Sequence, residues 1–301
     1  MSTHTGTVPV TVVVLTFNEE RNLAACLESV SGWATDVFVV DSNSTDGTVA
    51  LARQFGATVV AHPFQTHASQ WAWALATLAI RTEWVLGLDA DQRVTPELRE
   101  HMSASLAGSA ADGIDGFYVS RRQVFRGTWI KHGGYYPKYL LKLFRRSAVR
   151  LDGDELVDHH FHIAGSVKTL RGDIVEDNQN ERQIATWTEK HNRYAVLQAR
   201  QELAERASAP PIAFGEMFRT PDARTRWLKQ QWRKLPLFVR PCVYVFYRYV
   251  IRLGFLDGKQ GFIFHVLQAF WYRLLVDINI DELKTQPQSA ALHLGVDKTR
   301  S

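Results

Sequence analysis

Short apolar runs alternate with amphipathic segments over the first hundred residues of the chain. Four runs are rich in β-branched or large apolar residues and are predicted strands: residues 10–15, 37–40, 58–61 and 84–88. Apolar positions at helical spacing follow the first two runs, at Leu23, Cys26, Leu27 and Val30, and at Val49, Ala52 and Phe55. Alternating strands and helices predict a doubly wound α/β fold with a mostly parallel sheet.

Three of the predicted strands end in clusters of polar residues. The clusters read Thr16-Phe17-Asn18-Glu19-Glu20, Asp41-Ser42-Asn43-Ser44-Thr45-Asp46-Gly47-Thr48 and Asp89-Ala90-Asp91. Each one alone is compatible with a helix cap, for which Asn18 or Ser44 would serve. The carboxyl ends of parallel strands share one edge of a sheet, where ligands bind, so three clusters together predict a common site.

Asp89 and Asp91 suggest the chemistry of this site. If the strand continues through both, their side chains point the same way. Two carboxylates on one side suit a hard divalent cation that takes its other ligands from water and from substrate phosphates. The alternative is a polar loop with two solvated acids.

In order and spacing, the three clusters resemble glycosyltransferase family 2, the nucleotide-sugar transferases of the GT-A fold. The resemblance covers roughly residues 8 to 200. Within that family the chain resembles the lipopolysaccharide-core β-glucosyltransferase-like branch. The strings that carry this closer likeness are Gly133-Gly134-Tyr135-Tyr136-Pro137, Leu141-Lys142-Leu143-Phe144-Arg145-Arg146 and Lys190-His191-Asn192-Arg193-Tyr194-Ala195.

The resemblance implies a pocket for the donor nucleotide in the first two clusters. Thr16, Asn18 and Glu19 would line the pocket for base and ribose, and Asp41 would accept a hydrogen bond from the base, typically uracil. Ser44 and Asp46 would form the wall of that pocket.

The resemblance places a divalent metal, Mg²⁺ or Mn²⁺, at the third cluster. Asp89 would face the ribose or the metal, and Asp91 would bind the metal. A diphosphate leaving group needs cationic help, which carboxylates supply only through a metal.

One segment departs from the family pattern. Many relatives carry a Gly-Lys-Gln-Arg-Asn-like string where this chain has Ala68-Ser69-Gln70-Trp71-Ala72. Gln70 matches and is expected to contact the donor, whereas Trp71 and Ala72 replace the basic residue and the Asn. Four residues could supply the missing cationic contact: Arg121, Arg122, His132 and Lys138.

A cluster of acids and histidines at residues 152–162 supplies candidates for a general base. In the related branch this place holds a Val-His-Glu string, and here Val157 is followed by Asp158-His159-His160. We expect Asp158 to be the base, with His159 as the alternative because imidazole titrates in a useful range. His160 or His162 would reach the metal or a phosphate. The competing interpretation is an exposed strand on which the histidines merely alternate.

Composition agrees with a globular protein. The chain has 301 residues, 46% hydrophobic residues, 22% charged residues and a formal net charge of +4, and we expect no nucleic-acid partner. The two cysteines indicate no disulfide framework. The residues that precede the first strand are polar and do not read as a signal peptide, so we expect the chemistry to take place in the cytosol.

The last third of the chain is basic and aromatic. The breaker at residues 207–211 predicts a transferase domain at 1–207, a helical extension at 208–285 and a flexible tail at 286–301. Neither apolar helix of the extension, near residues 242–252 and 261–272, offers about 20 apolar residues free of charge. Arginines beside aromatic residues instead predict a membrane-associating hairpin in the interface, peripheral or monotopic, at the cytoplasmic face of the inner membrane. The alternative is a helical pair packed on the protein or at a dimer interface.

These features predict a metal-dependent, inverting hexosyltransferase. It would move a sugar from a nucleoside-diphosphate sugar, with UDP favoured, to a lipid-linked saccharide in envelope polysaccharide, lipopolysaccharide or exopolysaccharide synthesis. One alternative is a sugar nucleotidyltransferase, which the acidic segment Thr16-Phe17-Asn18-Glu19-Glu20 disfavours because it lacks glycine. Another alternative is a catalytically degenerate membrane scaffold.

Overall fold

The computed structural model describes residues 7–151, 161–208, 213–218 and 221–285. The chain divides into two compact units, Met1–Thr186 and Trp187–Ser301. In the described ranges, the first unit carries all the β-strands and the second is helical.

The first unit contains eleven strands within the ranges described. Their bounds are β1 Val8–Thr16, β2 Ala34–Asp41, β3 Thr58–Ala61, β4 Trp84–Asp89, β5 Gln92–Val94, β6 Gly116–Phe125, β7 Thr128–Trp129, β8 Lys138–Arg145, β9 Val149–Leu151, β10 Phe161–Ile163 and β11 Val167–Glu176. The main sheet has the order β3-β2-β1-β4-β8-β6-β11-β5, with β7 paired to β6, while β9 and β10 pair separately. Each of the four strands predicted from the sequence is present.

The sheet is mostly parallel. The four strands β3, β2, β1 and β4 run in one direction. Strand β8 is antiparallel to both β4 and β6, so β6 again runs with β4, and β11 runs parallel to β6. Strand β5 closes the far side, antiparallel to β11.

Helices cover both faces of this sheet. Their bounds are α1 Glu20–Val30, α2 Thr48–Gln54, α3 His67–Thr77 and α4 Pro96–Ser105. Val12 of β1 packs in one core cluster with Leu27 of α1 and Met102 of α4, whereas Val13 packs in a second cluster with Trp71 of α3. Adjacent residues of β1 are therefore buried against opposite layers, as the doubly wound prediction requires.

The second unit is built from helices. Their bounds are α5 Ile184–Ser208, which begins in the first unit, α6 Pro221–Trp232, α7 Val239–Phe246, α8 Gly258–Phe264 and α9 Tyr272–Thr285. Ala195 and Ala199 of α5 form a core with Tyr272, Val276 and Ile280 of α9. The division at Thr186 and Trp187 thus differs from the boundary expected at residue 207. The helix that was assigned to the transferase domain shares its core with the C-terminal helices.

The C-terminal helix also differs from its expected length. A π-helical segment, His265–Trp271, continues α8 into α9, so one helical run extends over the 32 residues Gly254–Thr285. By length and composition this run could cross a membrane, contrary to the expectation that neither helix is apolar enough, and 39% of its most apolar window is buried within the protein. One such helix is weak evidence for a span, because core helices of soluble proteins share these properties.

Candidate active site

The three polar clusters meet at the carboxyl edge of the parallel strands. Thr16 of β1 lies opposite Asp41 of β2, and Leu15 lies opposite Asp89 of β4. The ends of the three strands are therefore level within one residue. The expectation of a shared edge is met for these positions.

Asp41 organises the loop that follows β2. It is buried, and its Oδ1 accepts hydrogen bonds from Thr16 Oγ1 (2.9 Å) and Ser44 Oγ (2.6 Å). Its Oδ2 accepts a hydrogen bond from the Ser44 backbone N–H (2.8 Å). The carboxylate thus fixes the position of Ser44, which itself accepts a hydrogen bond from the Asn18 backbone N–H (2.8 Å).

Asn18 joins the loop after β1 to the loop after β2. Its φ is +54°, a left-handed conformation that Asn tolerates better than most residues. Its side-chain oxygen accepts a hydrogen bond from the Thr45 backbone N–H (2.8 Å). The two loops are held as one surface by side chains that the sequence had placed in separate clusters.

Asp46 holds the start of α2 and the start of α1 together. It accepts hydrogen bonds from the Thr48 hydroxyl, the Thr48 backbone N–H (3.0 Å) and the Glu20 backbone N–H (3.2 Å). Burial acts to raise the pKa of Asp46, but these hydrogen bonds outweigh it and hold the pKa below its ordinary value. Asp46 is therefore ionised and structural in this arrangement, consistent with a wall of the pocket.

Glu19 is held from a distant segment that sequence reasoning missed. Its Oε2 accepts hydrogen bonds from Asn22 Nδ2 (2.6 Å) and Asn180 Nδ2 (3.2 Å). Asn180 also donates to the Asn18 carbonyl (3.2 Å), and the Gln179 backbone N–H donates to Asn22 Oδ1 (2.8 Å). The polar string Asp177-Asn178-Gln179-Asn180 after the last strand was the available signal.

Gln70 lies between the loops that follow β2 and β3. It is fully buried, and its side-chain amide donates to Ser42 Oγ (3.2 Å) and to the His62 carbonyl (3.1 Å). Its Oε1 lies 2.6 Å from His62 Nδ1. These contacts brace the loops after β2 and β3, and the contact of Gln70 with the donor stays a prediction.

Trp71, which departs from the family pattern, lies in the core. It is fully buried and packs edge-on against Phe161, with ring centroids 4.9 Å apart. A basic residue at this position of the fold would need a buried partner. Trp71 therefore contributes packing to the core on one face of the sheet.

The two acids of the third cluster do not share a strand. Strand β4 ends at Asp89, and Asp91 lies in the turn that leads to β5. The strand alternation predicted for the pair does not apply, because the chain reverses after Asp89. Asp91 lines a shallow pocket with Arg21, Asn22, Ala25, Arg93, Asp177 and Gln179.

Asp89 belongs to a hydrogen-bonded chain of charged and polar side chains. Its Oδ2 accepts hydrogen bonds from Gln92 Nε2 (2.8 Å) and from Lys142 Nζ (3.0 Å). Gln92 also donates a hydrogen bond to Glu176 Oε2 (2.9 Å). The Arg121 guanidinium donates to the two carboxylate oxygens of Glu176, at 3.0 and 3.2 Å. Two carboxylates are thus matched by two cations beside the end of β4.

Lys142 reaches Asp89 because of a β-bulge. Phe117 of β6 pairs with Leu143 and Tyr118 pairs with Leu141, so Lys142 is the extra residue of β8. The pairing of β8 with β4 ends at Leu143 and Leu86, and no pairs join the two strands beyond that level in the structure described. The buried Lys142 ammonium points into this opening of the sheet.

The four residues that were considered as replacements for the missing cationic contact lie in different environments. Arg121 is paired with Glu176, and Arg122 Nε donates to Asp173 (2.6 Å). His132 and Lys138 lie between β7 and the start of β8, where Lys138 is exposed. Lys142, which sequence reasoning did not consider, is the cation that contacts a residue of the third cluster.

The proposed general-base residues lie outside the described residues. Asp158, His159 and His160 fall between β9 and β10, in the gap at residues 152–160. Their assignment remains the sequence prediction. His162, the next histidine, lies in β10 opposite Arg150 of β9.

The donor set at the edge fits a divalent cation that is shared with a substrate. Among the described residues, no group of three His, Cys, Asp or Glu side chains forms a closed metal cage. Mg²⁺ and Mn²⁺ at nucleotide sites take one or two protein carboxylates and complete their coordination with phosphates and water. The Asp89 and Asp91 carboxylates match that requirement.

Lys142→Met is expected to lower the free energy of unfolding by about 1–3 kcal/mol, because it leaves the Asp89 carboxylate without its cation. Urea unfolding of Lys142→Met, Asp89→Asn and the double variant measures the coupling between the two side chains. A coupling of at least about 1 kcal/mol is expected, with Lys142→Arg close to the wild type. Additive effects of the two single substitutions would show that the pair is not energetically linked.

Comparison with known proteins identifies relatives of this chain. Residues 11–171 match the family described as Glycosyl transferase family 2. The lipopolysaccharide core biosynthesis glycosyltransferase LpsC of Rhizobium meliloti is 31% identical over 208 residues, which are 65% of this chain and 72% of that protein. The uncharacterized glycosyltransferase RT0209 of Rickettsia typhi is 30% identical over 118 residues, and the match spans only 40% of its length.

A solved structure has a similar fold. The mannosyltransferase PcManGT from Pyrobaculum calidifontis, in complex with GDP-Man and Mn²⁺, aligns with 94% of this chain and 88% of its own. The TM-score is 0.54 and the sequence identity is 15%. At this identity the likeness shows the fold alone.

Proposed function

This chain belongs to glycosyl transferase family 2, and from that premise we propose a specific reaction. The protein transfers a sugar from a nucleoside-diphosphate sugar, with UDP as the nucleotide, to a lipid-linked saccharide, with inversion at the anomeric carbon. The observation that carries the proposal is the shared edge at which Thr16, Asp41 and Asp89 end their strands. In open α/β sheets such an edge binds the ligand.

The donor half of the proposed site is pre-formed by side-chain hydrogen bonds. Asp41, Ser44 and Asn18 hold the two loops that would surround the base and the ribose. Because these contacts already exist within the protein, little ordering would accompany binding. Asp41 and Ser44 therefore determine the shape of the pocket even where they do not touch the nucleotide.

Asp91, together with Asp89, would hold the Mg²⁺ or Mn²⁺ ion. When bound, the ion compensates the negative charge of the departing nucleoside diphosphate. Lys142 neutralises Asp89 and adds positive charge to the opening between β4 and β8. We assign Asp158 as the base that takes the proton of the acceptor hydroxyl, with His159 as the alternative.

The second unit supplies a surface suited to a membrane. Eight large apolar side chains from the end of α7 into α8 are each 43–58% exposed, and we call them the apolar patch: Phe246, Tyr247, Val250, Ile251, Leu253, Phe255, Leu256 and Phe262. Exposed Arg252 and Lys259 lie among them in the sequence. Apolar side chains beside basic ones match the interface of an anionic bilayer.

The apolar patch supports a lipid-linked acceptor, as does the similarity to LpsC, whose name places that protein in lipopolysaccharide core biosynthesis. Such an acceptor keeps one end at the bilayer, so an enzyme attached to the same surface meets it by two-dimensional search. We place the protein at the cytoplasmic face of the inner membrane, peripheral or monotopic, where the acceptor and the nucleotide sugars would meet.

Ile251→Glu combined with Phe262→Glu is expected to reduce sedimentation with phosphatidylglycerol vesicles at least about tenfold, because two charges replace inserted apolar groups. Phe55→Asp provides a control, since Phe55 is 38% exposed in the first unit. It should leave sedimentation unchanged. Equal sedimentation of the double variant and the control would remove the apolar patch from the membrane proposal.

The reaction itself is tested by release of the nucleotide. Purified protein is incubated with Mn²⁺ and UDP-glucose, UDP-galactose or GDP-mannose, with and without an inner-membrane lipid extract of a lipopolysaccharide-producing bacterium. The proposal predicts that the extract accelerates release of UDP and that labelled sugar enters the lipid fraction. Absence of release with every donor, from a folded protein, would favour the degenerate scaffold.

A further inference from the structure

One stretch of the first unit has an unusual charge pattern. Residues 116–151 contain nine Lys or Arg residues and no Asp or Glu. The stretch includes β6, β7 and β8, which lie beside the opening next to β4. Positive charge is therefore concentrated on the part of the sheet that adjoins the proposed donor edge.

Most of these cations have partners elsewhere in the fold. Three of them pair with carboxylates of other segments, Arg121 with Glu176, Arg122 with Asp173, and Lys142 with Asp89. Arg145 pairs with Glu83, and Arg146 donates to the carbonyls of Leu75 and Ile80. These five basic residues therefore have a structural role within the first unit.

Arg126 and Lys131 are different. Both are exposed, and neither forms an ion pair with any residue in the described part of the chain. They flank the short hairpin between β6 and β7, in which Val124 pairs with Trp129 and Phe125 with Thr128. Within the described ranges, two charges without an ion-pair partner thus lie at the tip of this hairpin, whereas Arg121 and Arg122 of β6 are paired.

The turn presents Arg126 outward at a conformational cost. Arg126 and Gly127 have φ values of +50° and +79°, the two left-handed residues of a tight hairpin turn. Asn, Asp or Gly normally fills the first of these positions. An Arg held in an unfavourable conformation at a solvent-exposed tip suggests a function for its side chain.

The Lys131 ammonium lies over the ring of Trp129 in a cation–π contact. The Lys131 ammonium lies 5.4 Å from the Trp129 ring centroid, and the Arg122 guanidinium lies 4.8 Å from it. Tyr136 packs edge-on against the same ring at 4.9 Å and donates its hydroxyl to buried Asp173 (3.2 Å). The aromatic ring is therefore fixed, and Lys131 is pre-positioned by it.

The tip lies on the acceptor side of the proposed site. Strand β6 runs parallel to β4, so its carboxyl end points toward the same edge as Asp89. Arg121 belongs to the charge chain of Asp89, and Val124, which pairs with Trp129, is three residues farther along, about 10 Å in a strand. The donor pocket occupies the opposite side, at the ends of β1 and β2.

We propose that Arg126, Trp129 and Lys131, the basic tip, bind an anionic group, a phosphate or a carboxylate, on the acceptor saccharide. This inference rests on the proposed function and specifies its acceptor class. Arg and Lys are the side chains that bind phosphate and carboxylate through charge-assisted hydrogen bonds. A neutral saccharide would leave both charges without a partner.

The test uses glucose 6-phosphate as the probe and glucose as its neutral counterpart. The full-length protein, labelled with ¹⁵N in its tryptophan indoles, is titrated while the Trp129 indole resonance is followed, after assignment with Trp129→Phe. Glucose 6-phosphate should shift this resonance and glucose should not. Phosphatidylglycerol vesicles form a separate arm, which distinguishes a saccharide phosphate from a lipid headgroup.

The variants test the charges directly. Arg126→Gln with Lys131→Gln should weaken binding of glucose 6-phosphate at least about tenfold. Arg99→Gln with Lys168→Gln is the matched control, since both residues are exposed and Lys168 lies near the opposite end of the sheet, paired with Phe117. Equal affinity of the two double variants, an equal shift with glucose, or a shift with vesicles alone would overturn the proposal.

A separate readout distinguishes failure of this inference from failure of the proposed function. The melting temperatures of the wild type and of the Arg126→Gln, Lys131→Gln variant are measured with Mn²⁺ and nucleoside diphosphates. If nucleotide and Mn²⁺ raise the melting temperature of both proteins but the wild type does not bind glucose 6-phosphate, only the proposal of an anionic acceptor is overturned. If no nucleoside diphosphate raises the melting temperature of the wild type in the presence of Mn²⁺, the transferase proposal is overturned.

Discussion

Asp91→Asn is expected to abolish metal-dependent binding of the nucleotide and to lower turnover at least about 100-fold. The substitution keeps the size of the side chain and removes its charge. Asp91 lies in the turn immediately after β4, at the edge where Thr16, Asp41 and Asp89 end their strands. A neutral amide there would hold a divalent cation poorly, and the charge of the leaving diphosphate would lose its compensation.

The measurement compares release of UDP and the metal dependence of the melting temperature in the wild type and the variant. Asp112→Asn is the matched control, because Asp112 is an exposed acid of the same unit. The control should behave as the wild type does in both assays. Undiminished turnover by Asp91→Asn would show that another group binds the metal.

Arg240→Met is expected to lower the stability of the second unit by about 3–5 kcal/mol, because it leaves buried Asp277 without its cation and leaves Glu202 with Arg206 alone. Arg240 is 1% exposed and joins α7 to two other helices. It donates to Glu202 of α5 at 2.6 Å and to Asp277 of α9 at 2.6 Å. Asp277 also accepts the Phe238 backbone N–H (2.8 Å), so the loss would loosen the base of the hairpin that carries the apolar patch.

The pH dependence of stability provides a second readout for this network. Burial acts to raise the pKa of Glu202, but the Arg240 and Arg206 guanidinium groups outweigh it and hold the pKa below its ordinary value of 4.5. A carboxyl whose folded pKa is lowered stabilises the fold above its unfolded pKa. That contribution is lost as the pH falls below about 4.5 toward the folded value. Arg240→Met should therefore flatten the acid limb of the stability profile.

Urea unfolding at pH 7 and across the acid range tests both expectations. Arg224→Met, at an exposed position of α6, should change stability by less than about 0.5 kcal/mol. Replacing Arg240, Glu202 and Asp277 together by apolar residues should recover much of the loss. A loss below about 1 kcal/mol in Arg240→Met would show that the network does not support this unit.

The sequence predicts the strands and helices whose apolar residues recur at the regular spacing of a strand or a helix. The strands at β1 to β4 follow from short apolar runs, and Leu23 and Leu27 of α1 are buried as their helical spacing indicates. The common edge of Thr16, Asp41 and Asp89 follows from parallel pairing alone. The packing of α5 against α9 does not follow from the sequence, because a pattern identifies an apolar face and not its partner.

The local geometry of the site depends on turns, a β-bulge and long-range hydrogen bonds, which leave no regular spacing in the sequence. The turn at Asp91 breaks the alternation expected from β4, and the bulge at Lys142 depends on pairing with β6. Gln70 was expected to contact the donor because it matches the family string, and its burial between the loops after β2 and β3 could not be read from that match. The hydrogen bonds of Asn180 join positions about 160 residues apart, which no local pattern encodes.

The most direct test of the transferase account is a thermal-shift measurement of the purified protein with UDP, GDP, CMP and dTDP, each with and without Mg²⁺ or Mn²⁺. A ligand that binds only the native state raises the Tm by mass action, by an amount that grows with its concentration above Kd. The account predicts a Tm increase with UDP that requires the metal. No increase with any nucleotide, with or without metal, would contradict it.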